Sequence, residues 1–128
     1  MEEKPPVFIV EDDPLMIRMY ERIFRLSGFG SVELAANGEE ALEKLNKTET
    51  VPAVILLDIM MPKMNGFEVL SNLKANDKLK NIPVIVLSNL AGQDDAKKAV
   101  EMGAALYLVK SDHTPKQVVE KALQVLGK

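Results

Sequence analysis

Glu11 and Asp12 follow directly on the apolar run Val7-Phe8-Ile9-Val10. Asp58 closes Ala53-Val54-Ile55-Leu56-Leu57, Ser88 closes Val84-Ile85-Val86-Leu87, and Lys110 closes the run from Leu106 to Val109. Three carboxylates, a hydroxyl and an amine thus stand at the ends of four separate apolar runs. One polar residue at such a place is ordinary, but this combination is a chemical inventory. Carboxylates brought together repel one another, which raises the pKa of at least one unless a cation intervenes. Hard oxygen ligands suit Mg²⁺, which keeps several waters and bridges one or two carboxylates to a phosphate. The lysine supplies a point charge for an anion and the serine a hydroxyl donor. These parts serve phosphoryl transfer, where catalysis is mostly positioning and neutralisation of charge. A carboxylate can itself be the nucleophile and form an acyl phosphate. The inventory does not single out the attacking acid, and Asp58, at the end of the most continuous apolar run, is the natural candidate.

These residues can meet only if the runs are strands that end on one edge, and the segments between them read as helices. Asp13-Pro14 is a helix start, with Asp13 as cap and the proline in the first turn, where its missing N–H costs nothing. Leu15, Met19, Ile23 and Leu26 recur at helical spacing along it, and Gly28 ends it. Val32, Leu34 and Ala36 alternate as a half-buried strand near a sheet edge. Asn37-Gly38 leads into a helix with Ala41, Leu42 and Leu45, and Asn65-Gly66 into one with Phe67, Leu70 and Leu73. Ala96, Ala99 and Val100 mark a fourth helix that Gly103 terminates. Thr114-Pro115 opens a fifth, lined by Val118, Val119, Ala122 and Leu126. Strand and helix alternate five times, which predicts a doubly wound parallel α/β sheet covered on both faces. The carboxyl ends of its strands share one edge, where ligands bind.

At 128 residues the chain is expected to be a single domain spanning 1–128, large enough to fold without disulfide or metal staples. It has no cysteine, which excludes a thiol nucleophile and a cysteine metal cage. Its acidic start, Met1-Glu2-Glu3-Lys4 before Pro5-Pro6, is unlike a signal peptide. No apolar run approaches the roughly 20 residues needed to span a bilayer. The net charge of -3 argues against direct nucleic-acid binding by the surface as a whole. A cytoplasmic location with no membrane association is the expectation.

With these stations in place, the chain resembles the response-regulator receiver family of two-component signalling, in its chemotaxis-regulator-like form, from Val7 to Leu126. The likeness rests on Glu11-Asp12 after the first run and on Asp58-Ile59-Met60-Met61-Pro62-Lys63-Met64-Asn65-Gly66 after the third. It rests equally on Ser88 after the fourth and on Tyr107-Leu108-Val109-Lys110. The resemblance implies five helices around a five-stranded sheet of flavodoxin-like order 2-1-3-4-5. It implies a phosphorelay switch that catalyses only its own phosphorylation and dephosphorylation. A histidine kinase or histidine phosphotransfer protein would donate a phosphoryl group to Asp58. Asp12, Asp58 and the backbone carbonyl of Met60 would hold Mg²⁺, with Glu11 helping through water. Lys110 and Ser88 would hold phosphoryl oxygens, and Ser88 with Tyr107 would report the state. A downstream protein would dock on the fourth helix, fifth strand and fifth helix.

The chain departs from that pattern in places. Ser111 follows Lys110 where the family usually has proline, so the peptide there is expected to be trans. Asn89 follows Ser88 where Ala or Gly is common. By the same resemblance, Met60 and Leu90 flank the path of a hydrolytic water. Both are apolar and unable to orient it, which predicts slow self-dephosphorylation. Other polar and apolar residues have plainer readings. Asp13 is a cap, and Met60, Met61 and Met64 are expected to fill space. His113 lies in a loop without partners at metal-ligand spacing. Lys97, Lys98, Lys116 and Lys121 belong to solvated helix faces. Two rival functions are disfavoured. An aspartyl-phosphate phosphatase would carry a second acid where Met60 stands. A flavin domain would carry a Ser/Thr/Gly-rich loop after the first strand and aromatics around the ring, whereas this chain has acids there, 5 % aromatics and no tryptophan.

Overall fold

The computed structural model describes residues 5–89 and 92–127, so the expectation for Leu90 lies outside them. Strand and helix alternate as β1 (Pro6–Val10), α1 (Pro14–Leu26), β2 (Ser31–Ala35), α2 (Gly38–Lys47), β3 (Val54–Asp58) and α3 (Gly66–Lys74). They continue as β4 (Val84–Ser88), α4 (Gln93–Glu101), β5 (Leu106–Val109) and α5 (Pro115–Val125), with a single 3-10 turn at Lys110–Asp112. All strand pairs are parallel and the order is β2-β1-β3-β4-β5, the flavodoxin-like arrangement.

Alternate residues of each strand feed two cores, one on each face of the sheet. Phe8, Val10, Ile55, Leu57, Val84 and Val86 pack against α2, α3 and α4 through Ala41, Leu45, Val69, Leu70, Leu73 and Ala99. Val7, Ile9, Val54, Leu56, Ile85 and Leu87 pack against α1 and α5 through Tyr20, Phe24, Val118, Val119 and Ala122. Every residue of β3 and β4 is buried, which is why these segments read as unbroken apolar runs.

The loops at the carboxyl edge of the sheet are short because side-chain caps start the helices at once. Asp13 accepts from the Leu15 N–H at 2.9 Å, Asn37 from Glu40 at 2.8 Å and Asn65 from Glu68 at 3.0 Å. Thr114 and Gln117 form a reciprocal capping box. No peptide bond among the described residues is cis, in keeping with serine at position 111.

Several expectations need correction. On α1 the apolar spacing predicts an inner face of Leu15, Met19, Ile23 and Leu26, yet Leu15 and Leu26 are 81 % and 73 % exposed. Met19 is also exposed, and the buried residues are Tyr20 and Phe24. The helix carries two apolar stripes, and the one with both aromatics removes more surface from water. Phe24 is then fixed edge-on to Phe29, with ring centroids 4.8 Å apart. On α4, Val100 points outward and only Ala99 is buried. Lys98 is not merely solvated, since its Nζ lies 4.3 Å from the centre of the Phe67 ring. His113 is half-buried, with Nδ1 3.0 Å from the Val109 carbonyl.

Candidate functional site

Each polar station lies at the carboxyl end of its strand because the strand's apolar residues are used up in the two cores just before it. Asp58 and Ser88 are the last residues of β3 and β4, and β1 and β5 end one residue before Glu11 and Lys110. Since β1, β3, β4 and β5 are neighbours in the order given, all of these residues reach one edge. Glu11, Asp58 and Ser88 are buried, whereas Asp12 is exposed and Lys110 half-buried.

Lys110 Nζ sits 3.4 Å from Asp58 Oδ2 and donates a hydrogen bond to Glu11 Oε1. Glu11 Oε2 accepts from the Asp13 N–H at 3.1 Å, and Asp58 Oδ1 accepts from the Met60 N–H at 3.3 Å. Burial, reinforced by the nearby negative charge of Glu11, pushes the Asp58 carboxyl up to about 7, against the opposing pull of Lys110. Burial works to lower the Lys110 ammonium, but the Glu11 hydrogen bond and the charge of Asp58 outweigh it and hold it above its ordinary value. The carboxylates therefore outnumber the one amine among them, and the excess negative charge calls for a further cation.

The donor set fits one. Glu11, Asp12 and Asp58 can each offer a carboxylate oxygen, and these atoms lie within 4.8 Å of one another. Hard oxygen donors so close together match a divalent ion such as Mg²⁺. The cluster opens into a depression of ≈ 420 Å³ lined by Glu11, Asp12, Asp13, Met16, Asp58, Met60, Asn89, Lys110 and Ser111. It is wide enough for a phosphoryl group and its waters.

The structure thus brings together Glu11, Asp12, Asp58 and Lys110, with Ser88 at the neighbouring strand end and the Met60 backbone next to Asp58. Tyr107 lies further back on β5, half-buried and packed against the core beneath α4. Met61 and Met64 fill space as expected, but Met60 is 59 % exposed at the mouth of the depression. Asp13 both caps α1 and lines the depression. Two lining residues were missed, Met16 and Ser111. Position Met16 follows from α1 helical phase, once the buried stripe is known. Beneath the site Tyr20 is buried, and its phenol is pushed up by burial while feeling Lys110, Glu11 and Asp58.

The model of the response regulator receiver domain matches residues 7–122. The transcriptional regulatory protein PrrA of Mycobacterium leprae is 45 % identical over 106 residues, covering 83 % of this chain and 43 % of PrrA. This chain therefore spans less than half of that relative's length. The polar-differentiation response regulator DivK of Brucella anthropi is 34 % identical over 121 residues, covering 94 % of this chain and 95 % of DivK. A chain in the crystal structure of the CheX-CheY-BeF3-Mg2+ complex from Borrelia burgdorferi superposes with a TM-score of 0.89. The two are 32 % identical, over 98 % of this chain and 92 % of that one. Parallel sheet, acidic cluster and lysine define a class of α/β protein with a charged site at the carboxyl edge of its sheet. Within that class, the chain belongs to the response regulator receiver domain family of two-component signalling.

Proposed function

We propose that the chain is a phosphorylation switch that accepts a phosphoryl group on Asp58. The observation that carries this is the convergence of Asp58 with Lys110 at 3.4 Å and with two further carboxylates at one open strand edge. A carboxylate oxygen of Asp58 attacks phosphorus, an O–P bond forms, and the bond from phosphorus to the donor's leaving atom breaks. The donor is a phosphohistidine on a histidine kinase or histidine phosphotransfer protein. Glu11, Asp12, Asp58 and the Met60 carbonyl would hold Mg²⁺, which would supply positive charge against that of the carboxylates and the transferring group. Lys110, already beside Asp58, meets a phosphoryl oxygen, and Ser88 donates its hydroxyl to another. A change at Ser88 and Tyr107 then alters the surface of α4, β5 and α5, to which a downstream protein binds. The chain's catalysis is confined to its own phosphorylation and dephosphorylation, and it works in the cytoplasm without direct contact with nucleic acid. No helix among the described residues is long and apolar enough to cross a membrane.

The deciding experiment is incubation with acetyl phosphate, with and without Mg²⁺, followed by intact mass. An acid-labile phosphate adduct that needs Mg²⁺ supports the reading. No adduct under any condition, together with no spectral change on adding beryllofluoride, would overturn it.

Asp12 is the exposed member of the acidic cluster, so its removal tests the metal site with little cost to the core. Asp12→Ala is expected to weaken Mg²⁺ binding by about tenfold or more, the loss of one charged oxygen ligand. Unchanged affinity in a calorimetric titration would remove Asp12 from the site.

Met60 stands at the mouth of the depression with an apolar side chain. Hydrolysis of the aspartyl phosphate needs a water in line with the P–O bond, and a thioether does not orient one as an amide can. Slow dephosphorylation is expected, with Met60→Asn faster by about three- to tenfold once the donor is removed, less than the roughly 10²–10⁴-fold of a general base because an amide orients the water without taking its proton. Equal decay in the two proteins would show that this side chain does not set the lifetime.

A further inference from the structure

β2 is an outer strand of the sheet and pairs with β1 alone among the described strands. The Ala35 carbonyl accepts from the Glu11 N–H at 3.1 Å, on the β1 side. By strand alternation the carbonyls of Val32 and Leu34 therefore face away from the sheet. A free row of this kind is a template for a strand of another chain.

The row is covered by charged side chains. Arg25, from α1, donates from Nη2 to the Val32 carbonyl at 3.4 Å, and Lys44, from α2, donates from Nζ to the Leu34 carbonyl at 2.7 Å. Just beyond the strand, the Ala36 N–H donates to Glu40 Oε2 at 3.2 Å. Both cations are themselves held, Arg25 by Glu21 at 3.1 Å and Lys44 by Glu40 at 2.8 Å. Helices on opposite faces of the sheet thus each send a cation over the same edge.

Glu33 adds a second element of the same kind. The edge is self-complementary, so the partner it would most readily take is a second copy related by a two-fold axis. In that antiparallel pairing Val32 and Leu34 of one copy exchange hydrogen bonds with Leu34 and Val32 of the other. The exposed Glu33 then falls directly opposite Glu33 of the second copy, a like-charge pair that opposes association.

We propose that Arg25, Glu33 and Lys44 act together as a guard that keeps two copies of this chain from joining their sheets through β2. The two cations occupy the acceptors that a second strand would need, and Glu33 repels the register that pairs Val32 of one copy with Leu34 of the other. With this edge closed, self-association in response to a signal is left to other faces.

The test compares the unphosphorylated wild type with the triple variant Arg25→Met, Glu33→Thr, Lys44→Met. A control carries the same kinds of change at exposed positions of α3, α4 and α5, away from β2: Glu68→Thr, Lys97→Met and Lys116→Met. Sedimentation velocity is run over a concentration series, with hydrogen exchange at the Val32 and Leu34 amides. The triple variant is expected to self-associate about tenfold or more tightly than wild type. Its Val32 and Leu34 amides become protected as concentration rises, and the control behaves as wild type. Glu33 is exposed on β2, so Glu33→Thr alone leaves the cores intact. It is expected to shift association in the same direction by a smaller factor, and carries the test if the triple variant does not fold. Unchanged association in the folded variants overturns the proposal. So does association that leaves Val32 and Leu34 exchanging as in wild type, or equal association in the control.

Discussion

Asp58→Asn is expected to abolish the acid-labile phosphate adduct completely while making the metal-free protein more stable at neutral pH. Both effects follow from where the carboxyl stands. It is 4 % exposed, and burial together with the charge of Glu11 raises it from 3.8 to about 7. The amide keeps the shape of the side chain, so the cores on either side of β3 are undisturbed. It has no anionic oxygen to attack phosphorus, so the chemistry stops.

The stability gain depends on pH in a defined direction. An acid whose pKa is higher in the folded than in the unfolded chain holds a proton in the folded state that the unfolded state has released. Stability from this group is full below about pH 4 and declines as pH rises toward 7, where the folded carboxyl is finally forced to ionise. The variant lacks this titration. Its advantage should be near zero at about pH 4 and reach about 2–4 kcal/mol above about pH 7, from the size of the shift. Mg²⁺ binds the ionised wild-type site and should narrow the gap by mass action. Urea denaturation at several pH values, with and without Mg²⁺, measures all of this. A phosphate adduct forming on the Asn variant at the wild-type rate would refute the assignment of the acceptor. An advantage independent of pH would instead refute burial as the cause of the stability difference.

Gly66→Ala carries the second large effect. A Cβ built on Gly66 would lie 2.4 Å from the Asp58 carbonyl oxygen and 2.7 Å from Ile59 Cα, both backbone atoms that cannot swing aside. The Gly66 N–H also donates to the Ile59 carbonyl at 2.9 Å, so the start of α3 is drawn against the end of β3. Admitting a methyl group must push these segments apart, at about 2–4 kcal/mol, the upper part of the range for overpacking. Because the segment displaced carries Asp58, phosphorylation should slow as well, by about a hundredfold for a shift near 1 Å. Gly92→Ala is the contrast. Its φ is -72° and, among the described residues, its Cβ would meet Asp95 Oδ2 at 3.3 Å, the end of a flexible side chain, so near-neutral stability is expected. Equal costs at the two glycines would show that close approach is not what position 66 requires.

Much of this was legible in the sequence because a buried parallel strand leaves a plain trace. The apolar runs of β3 and β4 are unbroken since both faces are covered, and the first polar residue after each run must emerge at the sheet edge. That is why Glu11, Asp12, Asp58, Ser88 and Lys110 could be assembled into one site before any coordinates. The caps at Asp13 and Thr114 were legible for a similar reason, since the hydrogen bonds they make span only two or three residues, while Asn37 and Asn65, read as turn residues, also prove to be caps.

What only the tertiary structure decided involves choices between locally equivalent options or contacts between distant segments. α1 offers two apolar stripes, and nothing within the helix says that Tyr20 and Phe24 go inward while Leu15 and Leu26 stay in water. The glycine at position 66 could be read as a turn residue, but its closeness to the Asp58 carbonyl depends on where α3 docks. The pairing of Lys110 with Glu11 spans 99 residues and appears only when β1 and β5 are placed on either side of β3 and β4. The cover over β2 joins Arg25 and Lys44 from opposite faces of the sheet. Local periodicity and capping are properties of a few consecutive residues, so a sequence displays them. The partner of a buried charge or an edge carbonyl is set by the docking of whole elements, which no single stretch of sequence contains.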